Sequence, residues 1–226
     1  MLYLAPSTFQ FDWDVVLRMW REFMLGAWID VWIAILGFLL ACVLGLILAL
    51  LRLGGVGAIV VPTYAFVQFV RGIPLYVMVL WLYFGIATVF QINLSTYQAA
   101  IAALALTGSG YTAEIFRAGI QAIDRGQFEA GQSLGMNPLL LYRRVVLPQA
   151  FRIVVPPLGN TFIGLLKGAT IVSVISVKDM VYLAQEINVN YFTPFEAFTA
   201  IAVILVALVL VFSSLVWLLE RRLKLT

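Results

Sequence analysis

Two long uncharged apolar runs constrain this chain more than any other feature. Residues 31–51 contain no charged side chain and end at Arg52, and residues 197–219 are uncharged up to Glu220. A helix needs about 20 consecutive apolar residues to cross the hydrocarbon core of a bilayer. Each run is long enough, so both predict membrane-spanning helices.

The composition extends this prediction to most of the chain. Hydrophobic residues make up 63% of the sequence and charged residues 11%, against about 45–50% and about 25% in soluble domains. One internal core cannot hide so much apolar surface, so we expect a polytopic membrane protein solvated by lipid. With no histidine and a single cysteine, Cys42, the sequence allows no intramolecular disulfide, suggests no metal cluster and leaves little from which to build a catalytic site. The net charge of +3 is too scattered to indicate nucleic-acid binding.

The spacing of the charges predicts five crossings. Between residues 53 and 113 the only charge is Arg71, and this length suits two helices separated near the polar residues 91–95. Residues 153–183 form a further apolar stretch, interrupted by Lys167 and Lys178. The predicted fold is an all-α integral membrane protein. Its helices are expected at about residues 25–51, 57–89, 97–121, 153–183 and 196–219.

Lys and Arg residues predict the orientation. They concentrate near residue 52, between residues 117 and 152, and after residue 220, whereas the loops near 90–96 and 185–195 contain none. The positive-inside rule therefore places the N-terminus outside and the C-terminus inside. We expect residues 1–24 to form an external or interfacial segment without signal-peptide character, 25–220 one membrane domain, and 221–226 a cytoplasmic tail.

The external segment has two interpretations. Its apolar residues recur at helical spacing, which is typical of a helix lying in the membrane interface. A polar lead-in to the first crossing explains the same residues. The apolar positions are Trp13, Val16, Leu17, Trp20 and Met24.

The inner loop at about 122–152 is the longest polar segment. Asp124 and Gln127 have the spacing of a capping box, and Gly135 followed by Pro138 is typical of a helix stop. These signals predict a short cytoplasmic helix at 126–134. A second short helix is expected at 138–147, ending before Pro148.

The same loop resembles the EAA loop of binding-protein-dependent permeases. Glu129-Ala130-Gly131 is followed after three residues by Gly135 and after nine more by Val145-Val146-Leu147-Pro148. The family pattern is Glu-Ala-Ala, three residues, Gly, nine residues, Ile, any residue, Leu-Pro, so Gly131 and Val145 are departures. The resemblance implies a coupling helix that docks in a groove of a separate cassette ATPase, which binds ATP and Mg. The implied coupling residues are Glu129, Ala130, Gly131, Leu134, Gly135, Leu147 and Pro148. An ordinary amphipathic loop helix is the alternative.

Three other segments resemble the polar amino acid branch of this family: residues 69–75, 111–120 and 166–173. Gly168 and Ala169 depart from its Leu-Lys-Asp-Thr-Ser-Leu-Val-Ser stretch. The resemblance implies a non-catalytic permease subunit of the bacterial inner membrane. Its implied partners are cassette ATPase subunits, a second permease subunit (the same or a related chain) and a periplasmic or lipid-anchored amino-acid-binding protein. Opines and other small solutes are alternative cargoes.

Polar side chains within the crossings are the candidate substrate residues. Arg71 would bind the carboxylate of an amino acid, and Glu114 would bind its ammonium group or a cationic side chain. Lys167 is a third ionisable candidate, and Gln68, Ser109 and Thr112 add polarity nearby. Alternatively, the charges pair with one another and fix helix packing.

Two other interpretations remain at this stage. A secondary transporter or channel would need inverted repeats, and a membrane enzyme would need a nucleophile with its base or a metal cluster. The sequence contains no Walker-type phosphate loop, so ATP hydrolysis is expected in a partner.

The small residues Gly37, Ala41, Gly45 and Ala49 predict a helix contact, either inside the subunit or with a second one.

Overall fold

The computed structural model describes residues 11–223, and every regular element within them is helical. In chain order the helices are α1 (Trp13–Arg18), α2 (Trp20–Leu53), α3 (Gly57–Gly72), α4 (Leu75–Leu80), α5 (Ile86–Phe90), α6 (Thr96–Gln121), α7 (Arg125–Ser133), α8 (Pro138–Leu141), α9 (Leu147–Ala169), α10 (Met180–Tyr191) and α11 (Pro194–Leu223). Wider π-helical turns occupy Trp81–Gly85 and Tyr142–Val146, and a 3₁₀ turn occupies Thr170–Ile175.

Five crossings are confirmed, one of them bent. Trp20–Leu53, Thr96–Gln121, Pro138–Ile175 and Pro194–Leu223 are each long and apolar enough to span a bilayer. The fifth consists of Gly57–Gly72 and Leu75–Phe90, which meet at an angle of 102°. Ile73 is extended at this break (φ −84°, ψ 125°) because the ring of Pro74 disfavours a helical residue before it.

The fourth crossing begins earlier than the predicted 153–183, and the predicted stop at Pro148 is wrong. The helix runs from Pro138 through Pro148 because a π-helical turn precedes the proline. In that turn the N–H of Leu147 donates to the carbonyl of Tyr142, one residue farther back than in an α-helix. The wider turn gives room for the ring of Pro148. It also tolerates the hydrogen bond that is lost because proline has no backbone N–H.

The outer end of this crossing also differs from the prediction. The chain reverses at Ser176, whose φ of 63° is left-handed, and α10 begins four residues later. Asp179 caps α10 by accepting the N–H of Tyr182 at 2.7 Å. Residues 180–183 therefore belong to a separate outer helix and not to the crossing.

The stripe of small residues packs α2 against α6 inside the subunit. Gly37, Ala41, Gly45 and Ala49 are all buried. A β-carbon at Gly37 would lie 2.7 Å from Cβ of Leu104, so only glycine permits this approach. Thr112 donates its hydroxyl to the carbonyl of Ala41 at 2.7 Å, which links the two helices by a buried hydrogen bond.

The described part of the N-terminal segment is helical from Trp13, and α1 continues almost directly into α2. Val16 is buried, but the other residues of the predicted apolar face are exposed, with Leu17 69% exposed. The buried side is formed by Val15, Val16 and Phe23, which pack in a cluster with residues of α10 and α11. The expected boundary between residues 24 and 25 lies inside α2. The exposed apolar face is left for lipid or for another subunit.

Candidate functional site

The cytoplasmic helix α7 begins at the predicted cap, although the cap uses a different donor. Oδ1 of Asp124 accepts the N–H of Gly126 at 2.6 Å. Gln127 does not complete a capping box, because its side-chain oxygen accepts a hydrogen bond from Gln149 at 3.3 Å. This contact ties the start of α7 to α9.

The end of α7 explains why glycine stands at position 135. Gly135 has a φ of +74°, a conformation that costs little only for glycine. The N–H of Met136 bonds to the carbonyl of Gly131 at 3.0 Å, and the N–H of Gly135 to that of Gln132 at 2.9 Å. This pair of bonds is the Schellman motif, which satisfies the last carbonyls of the helix.

One face of α7 packs on the loop and the other is open. Phe128 contacts the ring of Tyr142 edge-on, with centroids 6.0 Å apart. Gly131 is buried against Leu141, and a β-carbon at Gly131 would overlap that side chain. The departure from alanine at this position therefore has a steric reason.

The open face contains most of the predicted coupling residues. Glu129 and Ala130 are exposed, and Leu134 is 82% exposed. Leu147 and Pro148 are exposed on the following helix. Apolar side chains so exposed on the cytoplasmic side are typical of a docking surface.

A cavity of about 490 Å³ lies at the bend of the second crossing. Its wall is formed by the α3–α4 break, α6 and α9, and one side is open. The described lining residues are Arg71, Gly72, Ile73, Pro74, Leu75, Thr107, Tyr111, Thr161, Gly164 and Leu165. The guanidinium of Arg71 lies over the ring of Tyr111, 5.3 Å from its centroid. The hydroxyl of Thr107 is buried and has no hydrogen-bond partner among residues 11–223.

Glu114 does not lie in this cavity. Its carboxylate pairs with Arg52 of α2 and, at 2.8 Å, with Arg117 of its own helix. The ion pairs link α2 and α6 near their cytoplasmic ends. The geometry therefore favours the packing alternative for Glu114, and the structure does not bring Glu114 and Arg71 together around one ligand.

The other predicted substrate residues also lie apart from the cavity. Ser109 donates to the carbonyl of Leu106 at 2.7 Å, and Thr112 to that of Ala41, so both hydroxyls serve the helices. Gln68 and Lys167 are exposed and do not line the cavity. Arg71 alone of the six candidates contributes to the wall.

Three hydroxyl-bearing wall residues were missed by the sequence analysis. Thr107 and Tyr111 are four residues apart on α6 and therefore share a face. Thr161 stands on α9 one turn before Leu165, which also lines the cavity. Helical spacing from Tyr111, within the segment that resembles the amino acid branch, would have identified Thr107.

Buried carboxylates at the outer side were not anticipated. Asp30 and Asp179 are fully buried, and Glu196 is 1% exposed. Asp30 accepts the N–H of Met180 at a long 3.5 Å. Burial raises the pKa of Asp179, which lies outside the crossings, to about 7. Within the described part of the chain no three His, Cys, Asp or Glu residues are arranged to hold a metal ion.

Five crossings, a short cytoplasmic helix with an exposed face and a cavity at a helix break are the features of a membrane permease subunit. The chain belongs to the family described as binding-protein-dependent transport system inner membrane component, whose pattern matches residues 41–225.

Individual relatives match almost the whole chain. It is 33% identical over 215 residues to the probable amino-acid permease protein YxeN of Bacillus subtilis, covering 94% of this chain and 96% of that protein. It is 32% identical over 216 residues to the glutamine transport system permease protein GlnP of Escherichia coli, covering 95% and 99%. A crystal structure of an amino acid ABC transporter with histidines contains a chain that is 36% identical, with a TM-score of 0.88, covering 94% of this chain and 99% of that one.

Proposed function

We propose that this chain is the permease subunit of an ATP-driven, binding-protein-dependent importer of polar amino acids in the bacterial inner membrane. The amino acid cargo is supported by the names of the relatives, which include probable amino-acid and glutamine permeases. The observation that carries the coupling role is the open face of α7, with Leu134 82% exposed next to Glu129 and Ala130.

The proposed assembly has four kinds of component. Cassette ATPase subunits bind ATP and Mg and receive α7 in a groove. A second permease subunit, the same or a related chain, covers part of the exposed apolar surface within the bilayer. A binding protein delivers cargo to the outer side. This chain contributes the translocation pathway and the coupling helix and performs no catalysis.

Copurification with the ATPase tests the docking surface. Ala130→Arg places a long charged side chain on the exposed face of α7, and we expect it to abolish recovery of a cassette ATPase with the tagged chain. The matched control is Val189→Arg, which makes the same change on the outer helix α10, where Val189 is 70% exposed. Recovery of the ATPase with Ala130→Arg at the wild-type level would contradict the coupling role.

Uptake into proteoliposomes tests the cargo. The complex, reconstituted with its binding protein and with ATP and Mg on the cytoplasmic side, should accumulate a radiolabelled amino acid and not a radiolabelled sugar. ATP-dependent uptake of sugars alone would contradict the proposed cargo class and leave the coupling role intact.

A further inference from the structure

Two contacts set the register between the fourth and fifth crossings. The rings of Phe162 on α9 and Phe212 on α11 meet edge-on, with centroids 5.0 Å apart. Nearer the cytoplasm, Gly159 packs so closely on Val216 that a β-carbon at Gly159 would lie 2.6 Å from Cγ2 of Val216. The step between these contacts is three residues along α9 and four along α11. The two helices are therefore antiparallel and nearly in step.

The same register brings basic residues together at the inner ends of both helices. Arg152 lies seven residues before Gly159, which is about 10 Å nearer the cytoplasm. Seven residues are close to two full turns, so Arg152 and Gly159 share the face of α9 that is turned to α11. The same step along α11 leads from Val216 to Leu223, which is next to Arg222. Arg152 and Arg222 therefore lie at the same level.

The arginines at this level have no anionic partner. Arg152, Arg221 and Arg222 are exposed and form no ion pair with any residue among 11–223. The one acid in this turn of α11, Glu220, is half-buried and is also outside any ion pair of the described chain. Three positive charges and one negative charge leave a net charge of +2. Like charges held this close repel one another unless an anion joins them.

On its membrane side this basic cluster borders exposed apolar side chains. Trp217, Leu218 and Leu219 are each about half exposed, and Phe151 is 61% exposed. The guanidinium of Arg221 lies over the ring of Trp217, 4.3 Å from its centroid. Tryptophan next to the end of a crossing is typical of the headgroup level of a bilayer. The cluster is therefore placed beside lipid headgroups and not farther out in the cytoplasm.

We propose that the inner ends of α9 and α11 bind an anionic phospholipid, with its headgroup phosphate held by Arg152 and Arg222. Guanidinium groups bind phosphate with parallel hydrogen bonds, and basic clusters beside a crossing attract the anionic lipids of the cytoplasmic leaflet. The acyl chains lie along the exposed apolar side chains next to the cluster, a surface that fits a lipid better than a water-soluble subunit. The site shares no residue with the cavity and does not depend on the cargo.

Native mass spectrometry of the purified permease–ATPase complex in mild detergent tests this site. The probes are phosphatidylglycerol and phosphatidylcholine with identical acyl chains, titrated separately, and the lipid-bound fraction gives the affinity for each. We expect phosphatidylglycerol to bind at least roughly fivefold more tightly, the effect of about one arginine near an anionic surface. Equal affinities of the wild-type complex for the two lipids would overturn the proposal.

A double variant assigns the preference to this cluster. Arg152→Gln with Arg222→Gln should bind the two lipids equally well. The matched control, Arg18→Gln with Arg21→Gln, removes two positive charges from α1 and the start of α2 and should keep the wild-type preference. Arg152→Lys with Arg222→Lys should retain most of the preference, because both positive charges remain. An undiminished preference in the glutamine double variant would show that the anionic lipid binds elsewhere and overturn the assignment.

Two further measurements separate a lipid from other anionic partners. Inorganic phosphate in large excess should leave phosphatidylglycerol bound, compared with chloride at equal ionic strength. Displacement of the lipid by phosphate would show a site for free anions and overturn the proposal. The glutamine double variant should also retain its ATPase, and loss of the ATPase would show that the arginines contact that subunit instead. Neither result bears on the uptake test of the cargo.

Discussion

At the scale of single residues, Arg71 and Glu114 carry opposite charges but have different roles in the geometry. Arg71 lines the cavity over the ring of Tyr111 and has no ion pair among residues 11–223, whereas Glu114 joins α2 to α6 through Arg52 and also pairs with Arg117 of its own helix. Glu114→Gln should therefore reduce stability by about 1–3 kcal/mol and leave the affinity for cargo unchanged. Thermal unfolding and ligand binding of the purified complex measure both effects. A Glu114→Gln protein of wild-type stability that fails to bind cargo would reverse this assignment.

Two glycines with the same backbone conformation allow the effect of backbone strain to be distinguished from the effect of lost coupling to the ATPase. Gly55 and Gly135 both have a φ of +74°, and a β-carbon at either would meet nothing within 4 Å. Alanine should cost each site about 1 kcal/mol. Only Gly135→Ala should also reduce cargo-dependent ATP hydrolysis, because Gly135 ends the docking helix. An equal loss of coupling in Gly55→Ala would show that backbone strain alone is responsible.

At the scale of elements, the burial of Asp179 predicts that the attachment of α10 to α2 depends on pH. Gly26 allows the close approach, since a β-carbon there would lie 2.8 Å from the nitrogen of Met180. Burial raises the pKa of Asp179 from 3.8 to about 7, so the folded chain holds this proton more tightly than the unfolded chain. The resulting stability is complete below about pH 4 and is lost as the pH rises through about 7.

We therefore expect the unfolding temperature to fall between about pH 5 and about pH 8, with a smaller fall in Asp179→Asn. Asparagine also caps helices well, so the variant should keep α10 in place. Asp124→Asn, at the exposed cap of α7, serves as control and should keep the wild-type pH profile. An unfolding temperature that rises over this range in the wild type would contradict the prediction.

At the scale of the whole molecule, the orientation can be tested with the single cysteine. After Cys42→Ser, a new cysteine at Asn190 lies on the outer helix α10, and a new cysteine at Glu220 lies in the last turn of α11. With the N-terminus outside, a membrane-impermeant maleimide should label the first in intact cells and the second only after lysis. Labelling in the opposite order would invert the topology.

The sequence predicts features that depend on local chemistry and misses those that depend on tertiary contacts. The two ends of α7, marked by Asp124 and Gly135, lie within one residue of the expected 126–134. Both signals are local: the cap bonds to the first turn, and the left-handed glycine ends the last one. Pro148 was misread as a stop, because the π-helical turn that accommodates it has no clear sequence signature. For Glu114 the sequence leaves cargo binding and ion pairing open, because no local signal shows that Arg52, 62 positions earlier in the chain, lies beside it.

The uninterrupted helix from Pro138 to Ala169 gives the molecule a mechanical property. Its inner end rests on α7 through the contact between Gly131 and Leu141, and Thr161 lies farther along, in the cavity wall. At 1.5 Å per residue, Thr161 stands about 35 Å from Pro138. A tilt of about 5° with its fulcrum at the inner end would swing Thr161 sideways by about 3 Å, roughly the radius of a side chain. A small change in the tilt of this helix, set where it packs on α7, would therefore change the shape of a cavity about 35 Å away.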